Sequence, residues 1–197
     1  MLTIAFDIGV KNLSYCCLDS DGKICQWDVI NIKEGLDEQS SKDFHVLSEK
    51  LFEKLLQHFN YDRDIGEVVI ENQPVYKNPT MKSIQMLVYS FFSIRNLQLE
   101  RKIKMYFIGA STKVKLAEKN LNAICPDITR EIRGKYANKY SYNKHVSIKC
   151  VEQILSNEQI SDERSTDFFY NSKKKDDLAD ALLLGLVHIG KKKWFKG

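Results

Sequence analysis

The sequence predicts an α/β fold: a mixed five-stranded sheet, with three antiparallel strands first, parallel strands after them, and helices flanking it. Three observations carry this expectation. The apolar run over residues 2–6 has strand length and suits a sheet covered on both faces. Turn residues follow it closely and return the chain twice. Two later strand-length runs, at 68–70 and 104–109, are separated by a long stretch of helical periodicity.

The first run ends on Asp7, and Gly9 and Asn12 supply turn chemistry before a second strand over 13–18. Asp19-Ser-Asp-Gly22 is a hairpin turn, and residues 23–32 alternate as a third strand. Phe44, Leu47, Leu51, Leu55 and Phe59 recur at three-to-four spacing, which predicts a helix over 43–59 with Ser40 or Ser41 near its start. The strand at 68–70 stops on Glu71, and Pro74 forbids further pairing. Residues 80–100 read as a helix whose apolar positions (Ile84, Leu87, Val88, Phe91, Phe92, Ile94 and Leu97) cover more than one face. One face is expected on the sheet and another on a symmetry mate. After the strand at 104–109, Ser111 or Thr112 can cap a helix beginning near Lys113. A basic, irregular or partly helical insertion is expected at about 116–142. Then come a helix over 141–155, a polar loop over 156–172, a helix over 175–190, and a basic tail with Lys191, Lys192, Lys193 and Lys196. No internal repeat or low-complexity linker is evident, so one domain over 1–197 is the simplest organisation.

The chain has 197 residues and a net charge of +4. It has no run of eighteen apolar residues and so no expected membrane span. The first strand begins at residue 2 and holds Asp7, which is unlike a secretory or transit presequence. The expected compartment is therefore the cytoplasm, including a viral replication site, ahead of nucleus or mitochondrion. Cysteines at 16, 17, 25, 125 and 150 form no CxxC pair, and histidines at 45, 58, 145 and 188 form no HExxH, which argues against zinc. Charge is unevenly placed: 10 Lys and Arg against 15 Asp and Glu over 1–100, but 12 against 3 over 101–150. Tyr106, Tyr136, Tyr140 and Tyr142 are interleaved with that excess. The pattern suits a phosphate-backbone surface with stacking rings, or a solvated lysine-rich face.

Four acids stand where chemistry is most expected. Asp7 and Glu71 end interior strands. Asp177 and Asp180, at i and i+3, share a face of the first turn of the last helix, above Leu184 and Val187. Asp7 alone could be a turn cap, and the helix acids, Asp176 included, could serve only the helix dipole. Brought together, they would repel and raise one another's pKa unless cations neutralised them. An all-oxygen set without histidine favours a hard divalent cation such as Mg2+, and a pair of such ions can drive phosphodiester cleavage.

Four motifs in order, FDIGVKN at the first strand, IENQP at the fourth, YNKHVSIKCVEQIL, and KKDDLADALLL at the last helix, resemble the RuvC-type Holliday junction resolvases of the ribonuclease-H-like superfamily. The poxvirus and fungal mitochondrial branches are the most similar. That resemblance implies a ribonuclease-H-like sheet and a homodimer that binds four-way DNA junctions and makes paired symmetric nicks. It implies Mg2+ or Mn2+, two ions per site, held by Asp7, Glu71, Asp177 and Asp180, with Lys144 near the scissile phosphate. Lys11, Gln73, Lys77, Lys82, Lys113 and Lys115 are the candidate DNA contacts. The chain departs most from the short family forms over 116–142. A ribonuclease-H-like nuclease for other branched DNA or RNA:DNA hybrid remains the main alternative. A non-catalytic nucleic-acid-binding module is disfavoured because all four acids are present. An actin-like ATPase fragment is disfavoured because a second glycine-rich phosphate loop is missing.

Overall fold

Strand β1 (Leu2–Asp7) pairs antiparallel with β2 (Leu13–Leu18), which pairs antiparallel with β3 (Ile24–Ile30). On the other side β1 pairs parallel with β4 (Ile65–Asn72), and β4 with β5 (Lys104–Gly109). The sheet order is β3-β2-β1-β4-β5, the mixed sheet that the sequence predicts. The computed structural model describes residues 1–59, 64–76, 78–100, 102–156 and 158–190. Lys77 and the tail lysines 191–193 and 196 lie outside the described residues.

Side chains alternate across a strand. Ile4 and Phe6 of β1, Tyr15 of β2, and Val68 and Ile70 of β4 therefore share one face. They pack on Leu47, Leu51 and Leu55 of α1 (Phe44–His58) and on Ile84, Val88 and Phe92 of α2 (Pro79–Gln98). The opposite face carries Cys16, Leu18 and Trp27. It is covered by α3 (Ala110–Ile124), α5 (Lys139–Leu155) and α7 (Lys175–Ile189), through Ala117, Leu121, Val146, Cys150, Leu182 and Leu186. At its centre Ala5 and Val69 meet Leu184. Each fully buried leucine contributes about 1.5–3 kcal/mol, so both layers are strongly held.

Several local expectations change. Asp43, not Ser40 or Ser41, caps α1: its extended backbone lets the carboxylate accept from the amides of His45 and Val46. The two serines lie in a short 3-10 turn, Ser40–Lys42. β4 outruns its apolar centre because β1 and β5 pair with it on both sides, which puts Glu71 inside the strand. α3 starts at Ala110, directly after β5, with no side-chain cap. The 116–142 stretch is helical rather than irregular. It comprises the rest of α3, then α4 (Pro126–Lys135), then the start of α5. Pro126 opens α4, where its missing N–H is no loss, and Ile132 joins the core of Ala117 and Leu121. The expected 156–172 loop contains α6 (Glu163–Asn171), capped by Asp162 on the Ser165 amide and held by Phe169 stacked on Trp27 at 5.3 Å.

Among the described residues no disulfide is formed; Cys16, Cys17 and Cys150 are buried and Cys25 is exposed. Among the described residues no helix is long and apolar enough to cross a membrane.

Candidate active site

Register and twofold alternation bring the first two acids together. Phe6 stands opposite Ile70 in the parallel β1–β4 pair, so the next residues, Asp7 and Glu71, are neighbours on the face of Ala5 and Val69. A tight turn follows Asp7. At Gly9 a Cβ would lie 2.5 Å from the Asn12 carbonyl oxygen, so only glycine closes it without displacing the backbone.

Helix α7 supplies the other two acids. Gly185 lets it approach the sheet: a Cβ there would meet Leu18 at 2.7 Å and Ala5 at 3.2 Å. Its first turn is pinned from two sides. The Ser14 hydroxyl donates to the Asp177 carbonyl at 2.6 Å, and the Trp27 indole N–H donates to the Leu178 carbonyl at 3.0 Å. These contacts fix Asp177 and Asp180 above the ends of β1 and β4.

At the point of convergence lies the ammonium of Lys113. Its Nζ is 2.9 Å from Asp7 Oδ1, 3.2 Å from Glu71 Oε1 and 2.9 Å from Asp180 Oδ2, and the side chain is 2% exposed. At an effective dielectric near 20, each contact is worth roughly 5 kcal/mol gross, against a desolvation cost of several kcal/mol per ion. Burial alone would lower the Lys113 pKa, but Asp7, Asp180 and Glu71 outweigh it and raise it. Burial pushes the Asp7 carboxyl well up, Lys113 opposes that, and Glu71 adds to it. Burial likewise raises Asp180, again against Lys113. Asp177 is pushed up to about 6 by burial first and by Asp176 and Asp7 after it.

With Lys113 in this place, no group of three or more His, Cys, Asp or Glu among the described residues is set to hold a metal ion. The donor chemistry nonetheless fits a hard cation. Three carboxylates already converge on one positive centre, and Asp177 Oδ2 is buried beside them with no hydrogen-bond partner among the described residues. The acids and Lys113 line a cleft of about 440 Å³, together with Lys11, Tyr140 and Lys144.

The remaining candidate residues divide clearly. Lys144 is at the cleft and pairs with Asp176 at 2.6 Å, a hydrogen bond that raises its pKa. The Gln73 side-chain Nε2 donates to Glu71 Oε2 at 3.3 Å, while its backbone N–H donates to Gln85 Oε1 at 2.8 Å, so it braces an acid. Lys82 donates to Asn72 and Gln85 at 3.1 and 3.2 Å, outside the cleft lining. Lys115 is exposed and belongs to a separate groove. Lys113 corrects an expectation: it is no surface clamp but the buried cation of the cluster. Its polar neighbours, Ser111, Thr112 and Lys115, gave it a surface look. The available signal was its place one turn into a helix that starts at the strand ends where Asp7 and Glu71 stand.

No protein-family model matches the chain. It is 33% identical over 145 residues to uncharacterized protein L451 of Acanthamoeba polyphaga mimivirus, an alignment covering 71% of this chain and 32% of that protein. The chain thus spans about a third of that relative. It is 25% identical to the mitochondrial cruciform cutting endonuclease 1 of Schizosaccharomyces pombe, over 92% of this chain and 74% of that one. The fowlpox virus Holliday junction resolvase superposes with a TM-score of 0.58 at 17% identity, covering 96% of this chain and 98% of the viral one. This chain therefore has the fold of the fowlpox virus Holliday junction resolvase, a mixed five-stranded sheet flanked by helices, as the resemblance of its four motifs implies.

Proposed function

We propose that this chain is a divalent-metal-dependent endonuclease that resolves four-way DNA junctions by paired symmetric nicks. The observation that carries the reading is the cluster of Asp7, Glu71 and Asp180 on Lys113 at 2.9–3.2 Å, at the base of an open cleft. The likeness to a cruciform cutting endonuclease and to the fold of a junction resolvase supports it.

Asp7, Glu71, Asp177 and Asp180 would hold Mg2+ or Mn2+, two ions per site. Bound there, the ions supply Lewis-acid polarisation of the phosphodiester and of the attacking water. The protein's own groups do the rest. Lys113 keeps a positive charge in the cleft that holds the carboxylates ionised and offsets charge growing on the non-bridging phosphate oxygens. Lys144, held by Asp176, steers the strand at the rim, Lys11 contacts its backbone, and Gln73 fixes the Glu71 rotamer. A homodimer would place two such sites on opposed strands. The outward apolar residues of α2, Met86, Ile94 and Leu97, are its candidate interface.

One preparation assayed on a four-way junction, a flap, a linear duplex and an RNA:DNA hybrid tests this reading. The expected result is opposed, religatable nicks in the junction, dependent on Mg2+ or Mn2+. Preferred cleavage of the hybrid would move the assignment to the alternative nuclease reading.

A further inference from the structure

Helix α3 carries a second set of cations on the side turned away from the acids. Lys115 and Lys119 are four residues apart and share a face. At 3.6 residues per turn they stand roughly 200° and 240° around the axis from Lys113. Helix α4 packs beside them and presents Arg130 and Arg133, three apart, across a groove of about 290 Å³. Glu118 is the one acid in that lining, and it is already engaged: Arg133 Nη2 lies 2.8 Å and the Tyr142 hydroxyl 2.6 Å from its Oε1. Among the described residues Arg130 pairs only with the exposed Asp127, at 3.3 Å, a surface pair worth about 0–1 kcal/mol. Among the described residues no ion pair engages Lys115 or Lys119.

The groove is built for a polyanion rather than a small nucleotide. Among the described residues its lining holds no ring to stack on a base and no glycine loop to cradle a terminal phosphate. Two rows of ammonium and guanidinium groups instead match the repeating charge of a nucleic-acid backbone. From Lys113 to Lys119 the helix rises about 9 Å, the span of roughly three phosphates of one strand. The two sites nevertheless lie on different sides of a helix about 10–12 Å wide. DNA at the acids and DNA at the groove would approach this helix from different sides, which is the relation of arms that diverge from a branch point.

We propose that the α3–α4 groove binds the phosphate backbone of a duplex arm of the branched DNA whose scissile strand enters the acid cleft. This rests on the nuclease reading of that cleft. It assigns Lys119 and Arg130 as contacts for an arm other than the one being cut, and so makes the 116–142 segment a determinant of branch preference.

The test measures binding of the full chain to a four-way junction and to a linear duplex of equal length across a salt series, in Ca2+. The native protein is compared with Lys119→Gln/Arg130→Gln and with the charge-retaining Lys119→Arg/Arg130→Lys. Both positions are exposed, and circular dichroism checks the fold. Each lost phosphate contact should flatten the plot of log affinity against log salt by about 0.9. The expected result is a slope for the junction shallower by about 2 in the Gln pair, unchanged in the charge-retaining pair, and little altered on linear duplex. An unchanged junction slope in the Gln pair would overturn the groove assignment while leaving the acid cleft intact. Equal flattening on both DNAs would overturn its assignment to a diverging arm. Failure of the native protein to bind junctions would overturn the nuclease reading and this inference with it.

Discussion

Lys113 and Lys119 stand six residues apart on one helix, yet their surroundings are opposite. Lys113 is one cation inside three carboxylates, shut from water. Lys119 is one of four cations around a single acid, open to solvent. The first arrangement binds positive charge and leaves acids in excess, whereas the second leaves positive charge in excess. Identical side chains thus sit in an acid-rich cleft and in a cation-rich groove. What separates them is the direction each leaves the helix and how much water it keeps.

The largest expected effect breaks the acid side. Asp7→Asn should slow junction cleavage by about three orders of magnitude or more, because losing several kcal/mol of transition-state charge stabilisation costs tenfold per 1.4 kcal/mol. Junction affinity in Ca2+ should stay near native. Single-turnover gels and a binding titration check both.

Next comes Lys113→Met, which strands buried carboxylates. In the absence of metal it should cost about 3–5 kcal/mol, a fall in Tm on the order of 10 °C for a chain of this size. Mg2+ should restore much of it, because a bound cation stabilises the folded state by mass action. Thermal melts with EDTA and with Mg2+ read this directly. A Lys113→Met protein as stable as native in EDTA would break the comparison.

A control outside both regions is Asp162, which caps α6. Asp162→Ala should cost about 1 kcal/mol near pH 7. The cap's hydrogen bonds to Ser165 hold the Asp162 pKa below its ordinary value. Its contribution is therefore present above the unfolded-state pKa of about 3.9 and is lost as pH falls through the lower folded-state pKa. Urea melts of native and variant should converge in strong acid. Smallest of all, Lys119→Met should change stability by no more than about 0.5 kcal/mol, with or without Mg2+. The contrast with Lys113→Met under identical conditions is the sharpest form of the comparison.

The sheet was legible because its apolar runs have strand length and its turns carry Gly, Asn and Asp. The three antiparallel strands and the parallel pair lie where periodicity put them. The positions of Asp7 and Glu71 followed from the same pattern, since alternation dictates the face each occupies. Helix α6 was hidden because only Phe169 of its nine residues is buried, which leaves too little apolar periodicity to stand out from a loop. α4 was obscured by Pro126 and Gly134, which read as breakers until their places at the first position and in the last turn are known. Lys113 was misread for a deeper reason. Composition reports a charge, whereas its role depends on three acids up to 106 residues distant in the chain.

Asp180 offers the most direct measurement, because it belongs both to the helix that closes the site and to the shell around Lys113. Native protein and Asp180→Asn would be mixed with a labelled four-way junction in excess enzyme with Mg2+, while binding is followed in parallel. The account predicts opposed nicks from the native chain and none from the variant at equal occupancy. Native-rate nicking by Asp180→Asn, or loss of binding without loss of cutting per bound junction, would contradict it.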